Sequence, residues 1–228
     1  EYALTALSID DELAEAHASL AYIKFYFERD RSGAELEFRR SIQTNPSYAQ
    51  AHHWFALALA AMNKPIDALT EIQIAERLDP TSLTIKSAAG IVYFYAGKYD
   101  EGIAECDKAL MQDPGFVPAF KVKRWIFSAK GDLNSARVSL ERERLLSGGD
   151  ASLPGWQIIS LQLSDIDPDS KRTSLETLEK VVRDDDIRTN PFTYSVEIAL
   201  AYLHLGDREN ALKWLSKAEA TGTHSFNL

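Results

Sequence analysis

The sequence predicts an all-α solenoid of repeated helix–turn–helix units, and three observations carry that expectation. Pro46, Pro80 and Pro114 stand 34 residues apart. Ala34, Ala68, Gly102 and Ala136 keep the same spacing, and so do Phe38, Ile72, Cys106 and Leu140. Each period also holds two apolar-periodic segments parted by a breaker, as where Lys64-Pro65 divides residues 49–63 from 66–78. A helical pair cannot bury its apolar face alone, so a period of this length marks stacked units sharing one continuous core.

The elements follow in order. Residues 1–13 read as the second helix of a truncated unit, with Ala6 at the small position and Asp10-Asp11 where Asp-Pro would stand. The chain opens at Glu1 without Met and already in helix, so a piece of a longer protein is expected. Repeat one spans 14–48 and carries one extra residue, expected around residues 28–32. Repeats two, three and four span 49–82, 83–116 and 117–150, the last with Gly148-Gly149 in place of its proline. Repeat five (151–191) is irregular, with a long turn through residues 165–173, and repeat six covers 192–220 before a tail at 221–228. The whole of 1–228 is expected to be a single solenoid. Asp79-Pro80 ends repeat two because Pro lacks a backbone donor and disfavours helix in the residue before it. Thr81 and Ser82 can then cap the next helix. Small residues at Ala56, Gly90 and Ala199, facing Ala68, Gly102 and Ala211, let paired helices approach closely.

Composition removes several function classes. With 11 Gly and 8 Pro in 228 residues the chain is no low-complexity sequence. A net charge of −9 repels a phosphate backbone, and no polybasic segment suits an anionic membrane. The longest fully apolar run, 55–62, is far short of the roughly 18 residues that span a bilayer. The single Cys106 excludes an internal disulfide and fits a reducing compartment, so a cytoplasmic setting is expected. Cys106 shares its register with Phe38, Ile72 and Leu140 and reads as buried core.

The units resemble tetratricopeptide (TPR) repeats, most closely in AGIVYFYAGKYDEGIAECDKALMQDP of repeat three and ALAYLHLGDRENALKWLSKA of repeat six. The resemblance implies a right-handed superhelix whose concave face is lined by the first helix of each pair. It directs the second, fifth, sixth, ninth, twelfth and thirteenth positions of each repeat into that face. Carried over residue by residue, repeat one gives Ala18, Ser19, Tyr22, Phe25 and Tyr26, and repeat two gives Gln50, His53, Trp54 and Leu57. Repeat three gives Thr84, Ser87, Ile91, Phe94 and Tyr95, and repeat four gives Lys121, Val122, Trp125 and Ser128. The stretch from Ala14 to Met62 is also similar to TPR regions of bacterial multidomain regulators, whose neighbouring domains include winged-helix activators, nucleotide cyclases and serine/threonine kinases. The function implied is a non-catalytic scaffold that binds a protein or peptide.

Aromatic anchors with few charges have the profile of a binding hot spot. A carboxylate clamp of the chaperone-tail kind would need Lys, Asn and Arg, whereas only Lys121 matches, and Tyr22 and Leu57 stand where Asn is expected. Two alternatives stay open: Trp54 packs against a neighbouring repeat, or the chain's own Phe226-Asn227-Leu228 fills the groove. A homodimer through exposed solenoid ends is a further alternative.

Chemistry finds little support in the residues. Successive helix residues diverge by about 100°, so His52 and His53 are poorly placed to share a metal, and His52 holds the packing position of His17, Lys86 and Phe120. Asp165, Asp167, Asp169 and Glu176 have the spacing of a calcium loop, but Ser170 replaces its glycine and Pro168 stiffens it. Thr173-Ser174-Leu175-Glu176 also reads as a capping box opening a helix. Asp184-Asp185-Asp186 reads as a solvated helix end. With no nucleophile motif and no phosphate loop, neither an enzyme nor a cofactor is expected.

Overall fold

The structure, a computed structural model, describes residues 2–150, 154–164, 167–183 and 195–221. Asp165, the Asp184–Asp186 run and the Phe226–Leu228 tail lie outside the described residues. Among those described, every regular element is helical. The chain divides into two compact units, 1–130 and 131–228.

The first unit holds α1 (Tyr2–Ile9), α2 (Ala14–Ile23), α3 (Arg31–Thr44), α4 (Ala49–Ala61), α5 (Pro65–Leu78), α6 (Leu83–Tyr95), α7 (Tyr99–Gln112) and α8 (Val117–Lys130). Side chains left over from turn chemistry start these helices. Asp30 accepts from Gly33 N at 2.8 Å and Ser82 from Ile85 N at 3.3 Å, while Pro65 occupies the first turn of α5, where its missing donor costs nothing. The first helices of the pairs end in the left-handed region, at Asn63 (φ 59°) and Gly97 (φ 70°). Pairing follows the repeat, α2 with α3, α4 with α5 and α6 with α7, and the first helices also meet one another, α2 on α4, α4 on α6 and α6 on α8.

The register residues occupy the core as the period requires. Ala34, Ala68, Phe38, Ile72 and Cys106 are fully buried, and Phe38 stacks on Phe55 of the next repeat with ring centroids 5.3 Å apart. Burial pushes the Cys106 thiol up to about 12, so it sits there as an inert apolar group. In repeats one and two a polar staple ties first helix to second. His17 Nδ1 lies 2.7 Å from Glu37, and His52 Nδ1 2.6 Å from Glu71. In repeat three Lys86 takes the histidine's place and donates to the Pro80 carbonyl.

The extra residue of repeat one lies earlier than the sequence suggests. It is taken up not at residues 28–32 but inside the helix, where α2 continues as a π-helical turn, Lys24–Glu28. From Ala21 to Ala34 there are 13 residues, against 12 from Ala56 to Ala68, and all four alanines are fully buried. The helix is fixed by packing at both ends of this interval, so the surplus widens one turn.

The second unit holds α9 (Leu133–Leu146), α10 (Pro154–Leu161), α11 (Pro168–Arg183), α12 (Ser195–His204) and α13 (Arg208–Thr221). Ile158, Leu178, Ile198, Tyr202 and Leu205 form its core. The capping box expected at Thr173–Glu176 does not open a helix. Asp167 does so six residues earlier, accepting from Ser170 N at 3.2 Å, and Thr173 lies inside α11 with its hydroxyl on the Asp169 carbonyl. Asp ahead of Pro is the stronger start, a capping acceptor followed by a residue preset for the first turn. With 168–183 continuously helical, Asp169 and Glu176 cannot curl round a calcium ion as the loop spacing would require.

Candidate functional site

The first helices of the initial three repeats bring a set of rings together. Tyr22 and Tyr26, one turn apart on α2 and its π-helical extension, have centroids 4.5 Å apart, and Tyr22 lies 5.0 Å from Trp54 of α4. Phe25 meets Tyr26 edge-on at 4.9 Å. Burial holds the Tyr26 hydroxyl above its usual range, with smaller contributions from Tyr22 and from Tyr95 of α6, which places that third helix beside the cluster. Burial pushes Tyr95 itself up to about 12. Phe94 packs edge-on to Tyr95 at 5.5 Å. On α8 Lys121 Nζ sits 5.3 Å from the centre of the Trp125 ring.

The sequence-derived candidates fall into two groups by exposure. Tyr22, Tyr26, Gln50, Trp54, Phe94, Tyr95, Lys121 and Trp125 are half-buried and Thr84 is exposed, so these supply accessible area. His53, Leu57, Ser87 and Ile91 are buried and contribute packing. The π turn bears on this arrangement. One extra residue within Lys24–Glu28 turns the side chains of that interval by about 100° relative to an unbroken helix, and Phe27 there is left exposed.

The adjacent histidines behave oppositely. Both ring nitrogens of His52 face acceptors, Glu71 at 2.6 Å and the Pro46 carbonyl at 3.0 Å, and only the imidazolium can donate to both. Burial opposes that charge, but Glu71 and the Pro46 carbonyl outweigh it and hold the pKa above the usual 6.5. His53 meets the Gln50 side chain, at 3.1 Å from Nδ1, and burial lowers it to about 4. The stability that His52 adds is therefore complete below 6.5 and lost as pH rises through its folded value. That of neutral His53 is present above 6.5 and lost as pH falls toward about 4. Ring NMR titration should show His52 charged and His53 neutral at pH 6. A shared midpoint near 6.5 would contradict both environments.

Sequence reasoning missed the staples. The signal was present, since His17 and His52 stand in one register and Glu37 and Glu71 in another, the two acids 34 residues apart. Among the described residues no group of three or more His, Cys, Asp or Glu side chains is placed to hold a metal ion. No described helix is long and apolar enough to cross a membrane.

Comparison with known proteins fits this architecture. Residues 193–220 match the tetratricopeptide repeat family. No curated protein matches the chain by sequence. Among solved structures, PilW, a type IV pilus biogenesis factor, is similar with a TM-score of 0.62 and 18% identity over 96% of this chain and 82% of its own. PilF of Pseudomonas aeruginosa gives 0.56 and 16% identity, over 92% of each chain. YrrB, described as a TPR protein with an unusual peptide-binding site, gives 0.52 and 14% identity, over 97% of this chain and 92% of its own. At these identities the likeness concerns the fold. The family match is confined to residues 193–220, and over nearly the whole length the chain shares the fold of tetratricopeptide-repeat solenoids.

Proposed function

We propose that this chain is a non-catalytic interaction scaffold that holds a peptide or protein segment in a groove lined by α2, α4, α6 and α8. The observation that carries it is the contact of Tyr22, Tyr26 and Trp54, rings from two repeats that remain partly accessible although every neighbouring apolar register position is filled. Large, stiff aromatic surfaces lose little entropy on binding and dominate interface energetics. YrrB's described peptide site lends support by analogy of fold. On the resemblance of residues 14–62 to regulator TPR regions, the scaffold is further proposed to serve a larger bacterial regulatory protein, which the sequence flanking it in the gene would test.

The direct test is selection of peptides on the immobilised chain, followed by Trp54→Ala. Selected peptides should lose about 2 kcal/mol, roughly thirtyfold in Kd. Peptides that bind Trp54→Ala as tightly as the parent chain would remove this face from the account.

A second reading, self-association through a solenoid end, has one observation in its favour. Leu215 stands at the register of Phe38, Ile72 and Cys106, all fully buried, yet is 43% exposed, and Leu212 beside it is 64% exposed. In an inner repeat the following helical pair covers that face. Sedimentation that stays monomeric at high concentration, unchanged by Leu215→Lys, would exclude it.

A further inference from the structure

Resting on the groove reading above, we infer that the bound segment is apolar at its centre and carries a lysine or arginine directed toward the first repeat. Charge is distributed very unevenly along the face. Residues 1–23 contain no Lys or Arg at all. Asp10, Asp11, Glu12 and Glu15 are exposed there, and among the described residues none of them forms an ion pair. The first cation in the chain, Lys24, is held by Asp30 at 3.1 Å. On α8 the groove carries a cation of its own, Lys121, over the ring of Trp125.

Helix geometry joins the acidic end to the rings. Glu15, Ser19, Tyr22 and Tyr26 recur at intervals of four, three and four, which places them in one stripe along α2. Glu15 faces the start of α4 as well: after burial, its carboxylate is what raises the Tyr48 hydroxyl above its ordinary value. Seven residues of helix rise about 10 Å, the length of about three residues of extended chain. A side chain resting on Tyr22 and Trp54 therefore has its neighbour three positions away at Glu15.

The rings themselves do not form a cage for the cation. At 4.5 and 5.0 Å their centroids are already at stacking distance, which leaves no gap for an ammonium group between them. The cation reaches the carboxylates, and its aliphatic stem lies along the ring edges. A segment ending in a free carboxylate is opposed at this end by the exposed carboxylates of Asp10, Asp11, Glu12 and Glu15.

The inference is tested with three labelled peptides that share a leucine–phenylalanine–proline core and carry two arginines, two serines or two glutamates three positions away. Binding to the full chain is read by fluorescence anisotropy at low and high salt. The arginine peptide should bind about tenfold tighter than the serine peptide at low salt and the glutamate peptide weakest, with the order compressed by salt. Glu15→Gln should remove about two- to fivefold from the arginine peptide alone. Asp67→Asn, an exposed acid outside the stripe, should change nothing, and Trp54→Ala should weaken the three peptides equally. Equal affinity of all three with Trp54 dependence intact would overturn the charge inference and leave the groove standing. An arginine preference equally sensitive to Asp67→Asn would also overturn it, as a diffuse attraction to an acidic protein. Failure of all three to bind, or indifference to Trp54→Ala, would bring down the groove and this inference together.

Discussion

Phe38→Ala should cost the first unit about 3–5 kcal/mol, the range for deleting a large buried ring. Phe38 is fully buried, and its ring stacks on Phe55 at 5.3 Å with only 26° between the planes. Arg39, the next residue, lies over the Phe55 ring, 5.5 Å from its centre. The substitution thus removes a fully buried ring-to-ring contact between repeat one and repeat two. In a linear array such a loss uncouples neighbours as well as lowering total stability. Urea unfolding followed by circular dichroism should show a lower midpoint and a broadened or split transition. Phe38→Leu should retain most of the stability, since it leaves a smaller void. A loss under 1 kcal/mol for Phe38→Ala would mean that the interface collapses onto the vacancy.

Gly90→Leu should be nearly as damaging, by about 3 kcal/mol or more, through the opposite fault of excess volume. A Cβ at Gly90 would stand 2.8 Å from Cys106 Sγ, 3.0 Å from Val122 Cγ1 and 3.3 Å from the Gly102 carbonyl. A Cβ on Gly102 would in turn meet the Gly90 carbonyl at 3.1 Å. The two glycines therefore let α6 and α7 touch backbone to backbone. Gly90→Ala should already cost stability: 2.8 Å to the fully buried Cys106 Sγ is closer than a Cβ can stand, and the Gly102 carbonyl is backbone that yields less readily than a side chain, which outweighs the roughly 1 kcal/mol by which helix propensity favours alanine. Leucine has nowhere to go. A thermal midpoint for Gly90→Leu within two or three degrees of the parent would show that the helices can part without penalty.

The repeat period was legible because the same packing constraint recurs. The small residue at Ala34, Ala68, Gly102 and Ala136 and the apolar one four positions later are read four times over, and a signal repeated four times survives variation in any one copy. The place of the inserted residue was not legible. Spacing says only that one residue is added between Ala21 and Ala34, and a loop and a widened helical turn satisfy that count equally. The start of α11 was misread for a local reason: Thr173 and Glu176 satisfy a capping pattern, but the chain is already helical when it reaches them. At the candidate site, the inner-helix aromatics could be placed from register, whereas the burial of His53, Leu57, Ser87 and Ile91 depends on how closely neighbouring helices sit. The partners of His52 lie 19 and 6 residues away in sequence, on a second helix and a preceding turn, and no local pattern names them.

The widened turn in α2 separates two properties that are usually tied together in an array of like modules. Downstream of it, Arg29 adopts the same left-handed backbone as Asn63 and Gly97, so the bend into the partner helix is unaltered and the modules still nest. Upstream, every side chain keeps the bearing it would have had in an unmodified copy. Only the few residues in between are turned to a new heading. A lineage of such proteins can thereby vary what one module offers a guest while its neighbours, and the joints that connect them, register no change.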